Sequence, residues 1–124
     1  IQDNLQFLFG NDKMTLDMHI DEGRIEVEAM TYIRGRSICN SFIIIDEAQN
    51  MNRHEIKTVL TRVGEGTKIV LTGDIEQIDN IYIDSTNNGL SYLVEKFKDQ
   101  EIAGHITLLK GERSKVASVA ARIL

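Results

Sequence analysis

Apolar runs about four residues long, each closed by a polar cluster, alternate with helical patterns of about three turns. No other feature constrains the fold of this chain as much. Phe42-Ile43-Ile44-Ile45 is a continuous apolar run, as expected of a strand buried on both faces. Ile56, Val59, Leu60 and Val63 then fall on one helical face, with Asn52 placed as N-cap and Gly64 as C-terminal stop. Lys68 to Thr72 reads as a second strand. Asn88 caps a second helix whose core face is Leu90, Leu93, Val94 and Phe97. Ile106 to Leu109 reads as a third strand, and Ser114 caps a third helix with Val116, Val119, Ala120 and Ile123 facing inward. Strands alternating with helices predict an α/β fold, a parallel sheet flanked by helices and joined by right-handed crossovers. The first 41 residues are less regular. Asn4 to Phe9 suits a short helix, Asn11 to Gly23 a loop-rich stretch, and the alternation of Ile25, Val27 and Ala29 with Glu26 and Glu28 a strand.

The chain has 124 residues, enough for one domain or most of one. It contains no proline, no low-complexity stretch and no internal repeat. Its apolar runs fall well short of the ~20 residues a membrane-spanning helix needs, so no membrane partner is expected. Cys39 is the single cysteine, which rules out an internal disulfide and a thiolate metal cluster and agrees with a cytoplasmic location. The net charge of −5 counts against strong autonomous binding to nucleic acid, although it says little about a local groove lined by arginines. The first residue is Ile1, which reads as a sign that the chain was cut from a longer protein.

Open α/β sheets bind ligands at the carboxyl ends of their strands. After Phe42–Ile45 comes Asp46-Glu47-Ala48-Gln49-Asn50. An apolar strand followed by Asp-Glu matches the Walker B pattern, in which Asp46 holds Mg²⁺ through water and Glu47 polarises the attacking water. An acidic turn after a strand is the plainer reading. After the second strand comes Thr72-Gly73-Asp74, with Gln77 following. Gly73 permits a tight turn beside a ligand, and the Gln77 amide can touch a γ-phosphate or the attacking water. Asp74 can equally cap the segment that follows it. After the third predicted strand, Arg113 can reach a γ-phosphate as an arginine finger does, or it can be part of a solvated basic turn with Lys110 and Lys115. Arg34 and Arg36 precede the first strand and suit phosphate contacts to nucleotide or RNA, or simple surface charge.

Together, Arg34-Gly35-Arg36-Ser37, Phe42 through Asn50, Leu60-Thr61-Arg62 and Thr72-Gly73-Asp74 with Gln77-Ile78-Asp79 closely resemble the PhoH family. Tyr82-Ile83-Asp84-Ser85, Asn88-Gly89-Leu90 and Gly111-Glu112-Arg113-Ser114 resemble the branch in which a PIN ribonuclease domain precedes the ATPase. The resemblance runs from about Asp3 to the end. It implies a partial RecA-like P-loop NTPase core related to superfamily-one helicases, with residues 1–124 as the C-terminal part of the ATPase domain. It further implies ATP and Mg²⁺ as cofactors and ATP-dependent work on RNA in a parent enzyme that forms homo-oligomers. Asp46, Gly73, Asp74, Arg34 and Arg36 would contact the cofactor, and Glu47, Gln77 and Arg113 would carry catalysis.

One departure matters. The family's phosphate loop, G-x-x-x-x-G-K-[ST], is absent, and Gly64-Glu65-Gly66-Thr67-Lys68 is no substitute. Its spacing differs, it carries a carboxylate where phosphate would sit, and it precedes a strand where such loops lead into a helix. The fragment alone is therefore expected to be inactive. A non-catalytic interaction or RNA-binding module that retains an ATPase-like half fold is the alternative. His19, His54 and His105 are far apart and lack metal-ligand spacing, so packing or surface roles are expected of them.

Overall fold

In a computed structural model of the chain, residues 2–29, 35–109, 111 and 114–123 are described. Two helices come first, α1 (Gln2–Leu8) and α2 (Lys13–Asp21). Strand β1 (Phe42–Ile45) leads through a 3-10 turn (Ala48–Asn50) into α3 (Arg53–Leu60), and β2 (Lys68–Leu71) follows. Helices α4 (Gly89–Phe97) and α5 (Lys115–Ile123) complete the order.

The predicted α/β unit is present at its centre. β1 and β2 pair in parallel with Phe42 opposite Lys68 and Ile45 opposite Leu71. Asn52 caps α3 in a full capping box: its side chain accepts from the Glu55 N–H at 2.9 Å while the Glu55 carboxylate accepts from the Asn52 N–H at 2.9 Å. Such a cap is worth about 1 kcal/mol. Asn88 caps α4 through Ser91 N–H at 2.8 Å, and Ser114 caps α5 through Ala117 N–H at 3.2 Å. The segment before β1 is laced to the one before β2, with Ile38 N–H donating to Arg62 O at 2.9 Å and Gly64 N–H to Ile38 O at 2.7 Å.

The core is small. Ile45, Ala48, Met51, Ile56 and Val59 are buried together, with Ile43, Leu60, Ile69, Leu71, Leu90 and Leu93 packed partly against them. Helix α4 docks on α3 closely enough that a Cβ on Gly89 would lie 2.4 Å from Ile56 Cγ1 and 2.7 Å from Asn52 O. Only a residue without a side chain fits there, and its N–H donates to Met51 O at 2.7 Å.

Five sequence expectations are corrected. β1 is not buried on both faces, since Phe42 and Ile44 are 63% and 58% exposed while Ile43 and Ile45 face the core. Helices cover one face of this two-stranded sheet, so burial alternates along the strand. Residues 106–109 form no strand, with Leu108 and Leu109 at 86% and 95% exposure. An apolar run becomes a strand only when a neighbouring edge supplies its hydrogen bonds, and the described residues offer this run none. Helix α5 forms, but its predicted inward face is open, with Val116, Val119 and Ile123 all exposed. In the first segment, the expected loop contains α2, because Asp12 caps it through Thr15 N–H at 3.1 Å and Thr15 Oγ1 at 2.6 Å. The alternating Ile25-Val27-Ala29 stretch makes no strand.

Among the described residues, no helix is long and apolar enough to cross a membrane. Phe42, Ile44 and Val70 leave one face of the sheet apolar and open, and parallel sheets are stable when both faces are covered. The 124-residue chain is therefore expected to self-associate as its concentration rises. Sedimentation velocity across a dilution series checks this, and a single monomer boundary throughout would contradict it.

Candidate functional site

The parallel register decides where the polar clusters go. Because Ile45 lies opposite Leu71, the next residues, Asp46 and Thr72, leave the sheet side by side at its carboxyl edge. Thr72 Oγ1 donates to Asp46 Oδ1 at 2.8 Å. The ladder also continues past the strands, with Thr72 N–H donating to Ile45 O at 2.8 Å and Ala48 N–H to Thr72 O at 2.9 Å. The Glu47 N–H donates to the same Asp46 oxygen at 3.1 Å. Asp46 Oδ2 has no hydrogen-bond partner among the described residues.

Glu47 adopts the left-handed conformation, with φ 55° and ψ 36°. A residue with a side chain there costs about 1 kcal/mol or more, so the surrounding contacts must hold it. Ala48 N–H on Thr72 O is one such contact, and Gln49 supplies another. Gln49 is completely buried. Its Nε2 donates to Glu47 Oε2 and, at 2.9 Å, to Gln77 O. Its Oε1 accepts from Asp74 N–H at 3.2 Å. One buried amide thus ties the acidic turn after β1 to the turn after β2.

That second turn has its own bonds. Asp74 Oδ1 accepts from Glu76 N–H at 3.0 Å, so the capping reading of Asp74 holds. Its other oxygen accepts from Gln77 Nε2 at 2.7 Å, which brings Asp74 and Gln77 together beside Glu47. Asn50 extends the connection, its Oδ1 accepting from Asp79 N–H at 2.8 Å and Asn80 N–H at 3.2 Å. Gly73 serves a different purpose from the tight turn expected of it. Its φ is not positive, but a Cβ there would stand 2.5 Å from Gln49 Oε1 and 2.8 Å from Leu90 Cδ2. The glycine gives the buried amide room to reach Asp74.

The structure therefore brings together Asp46, Glu47, Gly73, Asp74 and Gln77. It does not bring Arg36 to them, since that guanidinium pairs with Glu26 at 3.5 Å and Glu28 at 3.9 Å. Arg34 and Arg113 lie outside the described residues. Sequence reasoning missed Gln49 and Thr72 as connecting groups. Glutamine is seldom fully buried, so no local signal marked Gln49. Thr72 is predictable in hindsight, because it is the residue that the register sets beside Asp46.

Among the described residues, no set of three His, Cys, Asp or Glu side chains is arranged to hold a metal ion. Mg²⁺ does not require one, because it keeps several waters and takes one or two carboxylates together with substrate phosphates. An exposed Asp46 carboxylate oxygen with hard hydroxyl and carboxylate neighbours suits that ion.

A family model described as PhoH-like protein matches residues 1–123. Protein PhoH2 of Bacillus subtilis (strain 168) is 64% identical over 126 residues, which cover 100% of this chain and 28% of that protein. Protein PhoH2 of Mycolicibacterium smegmatis is 40% identical over 109 residues, covering 88% of this chain and 25% of that protein. A PhoH-like protein of Synechocystis sp. is 50% identical over 60 residues, 48% of this chain and 18% of that protein. The chain spans 28% or less of the length of these curated relatives.

Gly73→Ala should press on Gln49 and Leu90 and destabilise the chain by about 1–3 kcal/mol. Gly104→Ala, where a Cβ meets nothing within 4 Å, is the control and should change stability little. Denaturant midpoints of the two variants test this, and equal midpoints would show that the Gly73 contact carries no cost.

Proposed function

The chain belongs to the PhoH family, and from that premise we propose that it forms the metal-binding, water-activating and phosphate-sensing half of an ATP-hydrolysing site. In this reading, residues 1–124 are the C-terminal part of an ATPase domain with a partial RecA-like P-loop core. The phosphate-binding loop belongs to the remainder of the longer parent. The reading rests on one observation above all. Asp46 and Glu47 from the end of β1 meet Asp74 and Gln77 from the end of β2 in a single hydrogen-bonded cluster at the carboxyl edge of a parallel sheet.

Each residue takes a role its chemistry suits. Asp46 would hold Mg²⁺, which neutralises charge on the phosphates. Glu47 orients the attacking water and accepts its proton as the water oxygen bonds to the γ-phosphorus and the bond to the ADP oxygen breaks. Gln77 contacts the γ-phosphate or that water, and Asp74 holds the Gln77 amide in place. Arg113, and with it Arg34 and Arg36, would supply positive charge to phosphates. RNA as the parent's substrate, helicase-type work and homo-oligomeric assembly belong to the same proposal, as does a cytoplasmic location.

A second reading has an observation in its favour. Many polar groups of the cluster bond to one another or to the backbone, which suits a non-catalytic interaction or RNA-binding module with an ATPase-like half fold.

Mutation of the full-length parent separates the two. Glu47→Gln should keep Mg²⁺-dependent ATP binding while kcat falls about 100-fold or more. Asp46→Ala should weaken ATP binding in Mg²⁺ and leave it little changed in chelator. Turnover near wild type in Glu47→Gln would remove Glu47 as the water-activating group, and a parent without ATP hydrolysis would favour the non-catalytic module.

A further inference from the structure

Gln49 has no part in the reaction as outlined, yet no side chain in the site is more completely enclosed. Burying an amide is costly unless its donors and acceptor are satisfied. Gln49 satisfies them across the strand ends: Nε2 to Glu47 Oε2, Nε2 to Gln77 O at 2.9 Å, and Oε1 to Asp74 N–H at 3.2 Å. Gly73 lacks the side chain that would collide with Oε1. Glu47 sits in a left-handed backbone conformation, so its carboxylate depends on neighbours for its direction. Gln77 is fixed at three points, by its carbonyl on Gln49, by its side chain on Asp74 and by its N–H on Asp74 O.

We propose that Gln49 is a positioning residue that couples the water-orienting carboxylate of Glu47 to the phosphate-contacting turn at residues 74–77, so that the two are set as one unit. The inference rests on the ATPase reading of the site. Gln49 touches neither nucleotide nor water in this account. It acts by tying one strand end to the other. A shift of the Gln77 turn when the γ-phosphate is present or lost is passed through this amide to Glu47. The coupling follows from chemistry in which one Nε2 serves both partners, so moving either changes the bond available to the other. A solely structural amide would stabilise the fold and leave the catalytic step alone.

The test uses Mg²⁺-ATP hydrolysis by the full-length parent. Gln49→Met keeps the length of the side chain and removes all of the bonds, and Gln49→Glu keeps an acceptor for Asp74 N–H while removing the donor. Both are first compared with wild type by thermal melting. In whichever variant stays folded, kcat should fall ten-fold or more while KM for ATP changes less than about three-fold. Glu47→Gln combined with that variant should be no slower than Glu47→Gln alone, because the amide acts through the group already removed. Wild-type kcat in a folded Gln49 variant, or losses that multiply in the double variant, would overturn the coupling while leaving Glu47 as the base. If both Gln49 variants unfold, Gly73→Ala provides the readout, since its Cβ displaces the same amide. A KM change without a kcat change in that variant would overturn the coupling. Wild-type turnover in Glu47→Gln would overturn the ATPase reading and the coupling with it.

Discussion

A single buried amide holds the polar edge of this protein together. Besides the bonds of Gln49, the turn after β1 and the turn after β2 are joined by the Asp46–Thr72 contact, the Ala48–Thr72 ladder bond and the more distal Asn50 bonds. Each group Gln49 meets is a backbone or carboxylate atom that would otherwise need water or stand unsatisfied. The neighbouring sequence accommodates it. Gly73 leaves it space, the preceding residue Ala48 is fully buried, and Leu90 of α4 lies close to Gly73. Packing and site chemistry are one structure here. The same bonds that fill the end of the core direct Glu47 outward from a strained backbone.

The rest of the molecule is organised around one covered sheet face. Ile43 and Ile45 of β1, with Ile69 and Leu71 of β2, face α3 and α4, and these contacts form the core. The opposite face, with Phe42, Ile44 and Val70, is bare, and so is the apolar side of α5. Seven buried apolar side chains among the described residues are few for a chain of this length, so helix caps and turn hydrogen bonds contribute much of the local order. The Asp84 turn before α4 is of this kind. The Thr86 hydroxyl first, then the Thr86 and Asn87 N–H groups, hold the Asp84 carboxyl below the ordinary aspartate value.

Local signals were legible in the sequence where local physics decides them. Asn52 and Asn88 read as caps because an amide acceptor before an apolar helical pattern has few other uses, and both cap their helices. Phe42–Ile45 and Lys68–Leu71 read as strands and pair in parallel. The third strand and the inward face of α5 failed because apolar residues report a tendency to be covered and carry no information about what covers them. Ile106 to Leu109 has the composition of a strand but no ladder partner among the described residues. The Asp12 cap on α2 was missed because the helix behind it is polar, with Leu16 its one buried residue, and periodicity alone cannot find such a helix.

The sequence by itself determined which residues follow each strand, and so which chemistry collects at the edge: carboxylates after β1, and a glycine, an aspartate and a glutamine after β2. That much is set by chain order, because a strand must release its next residue at its own carboxyl end. Only the tertiary structure decided that these groups form one cluster. The parallel register set Thr72 beside Asp46, and the approach of Gly73 allowed Gln49 to bury its amide between Glu47 and Gln77. The contacts that cross from one strand end to the other join residues 25 to 28 positions apart in the chain, a separation across which no local pattern carries information.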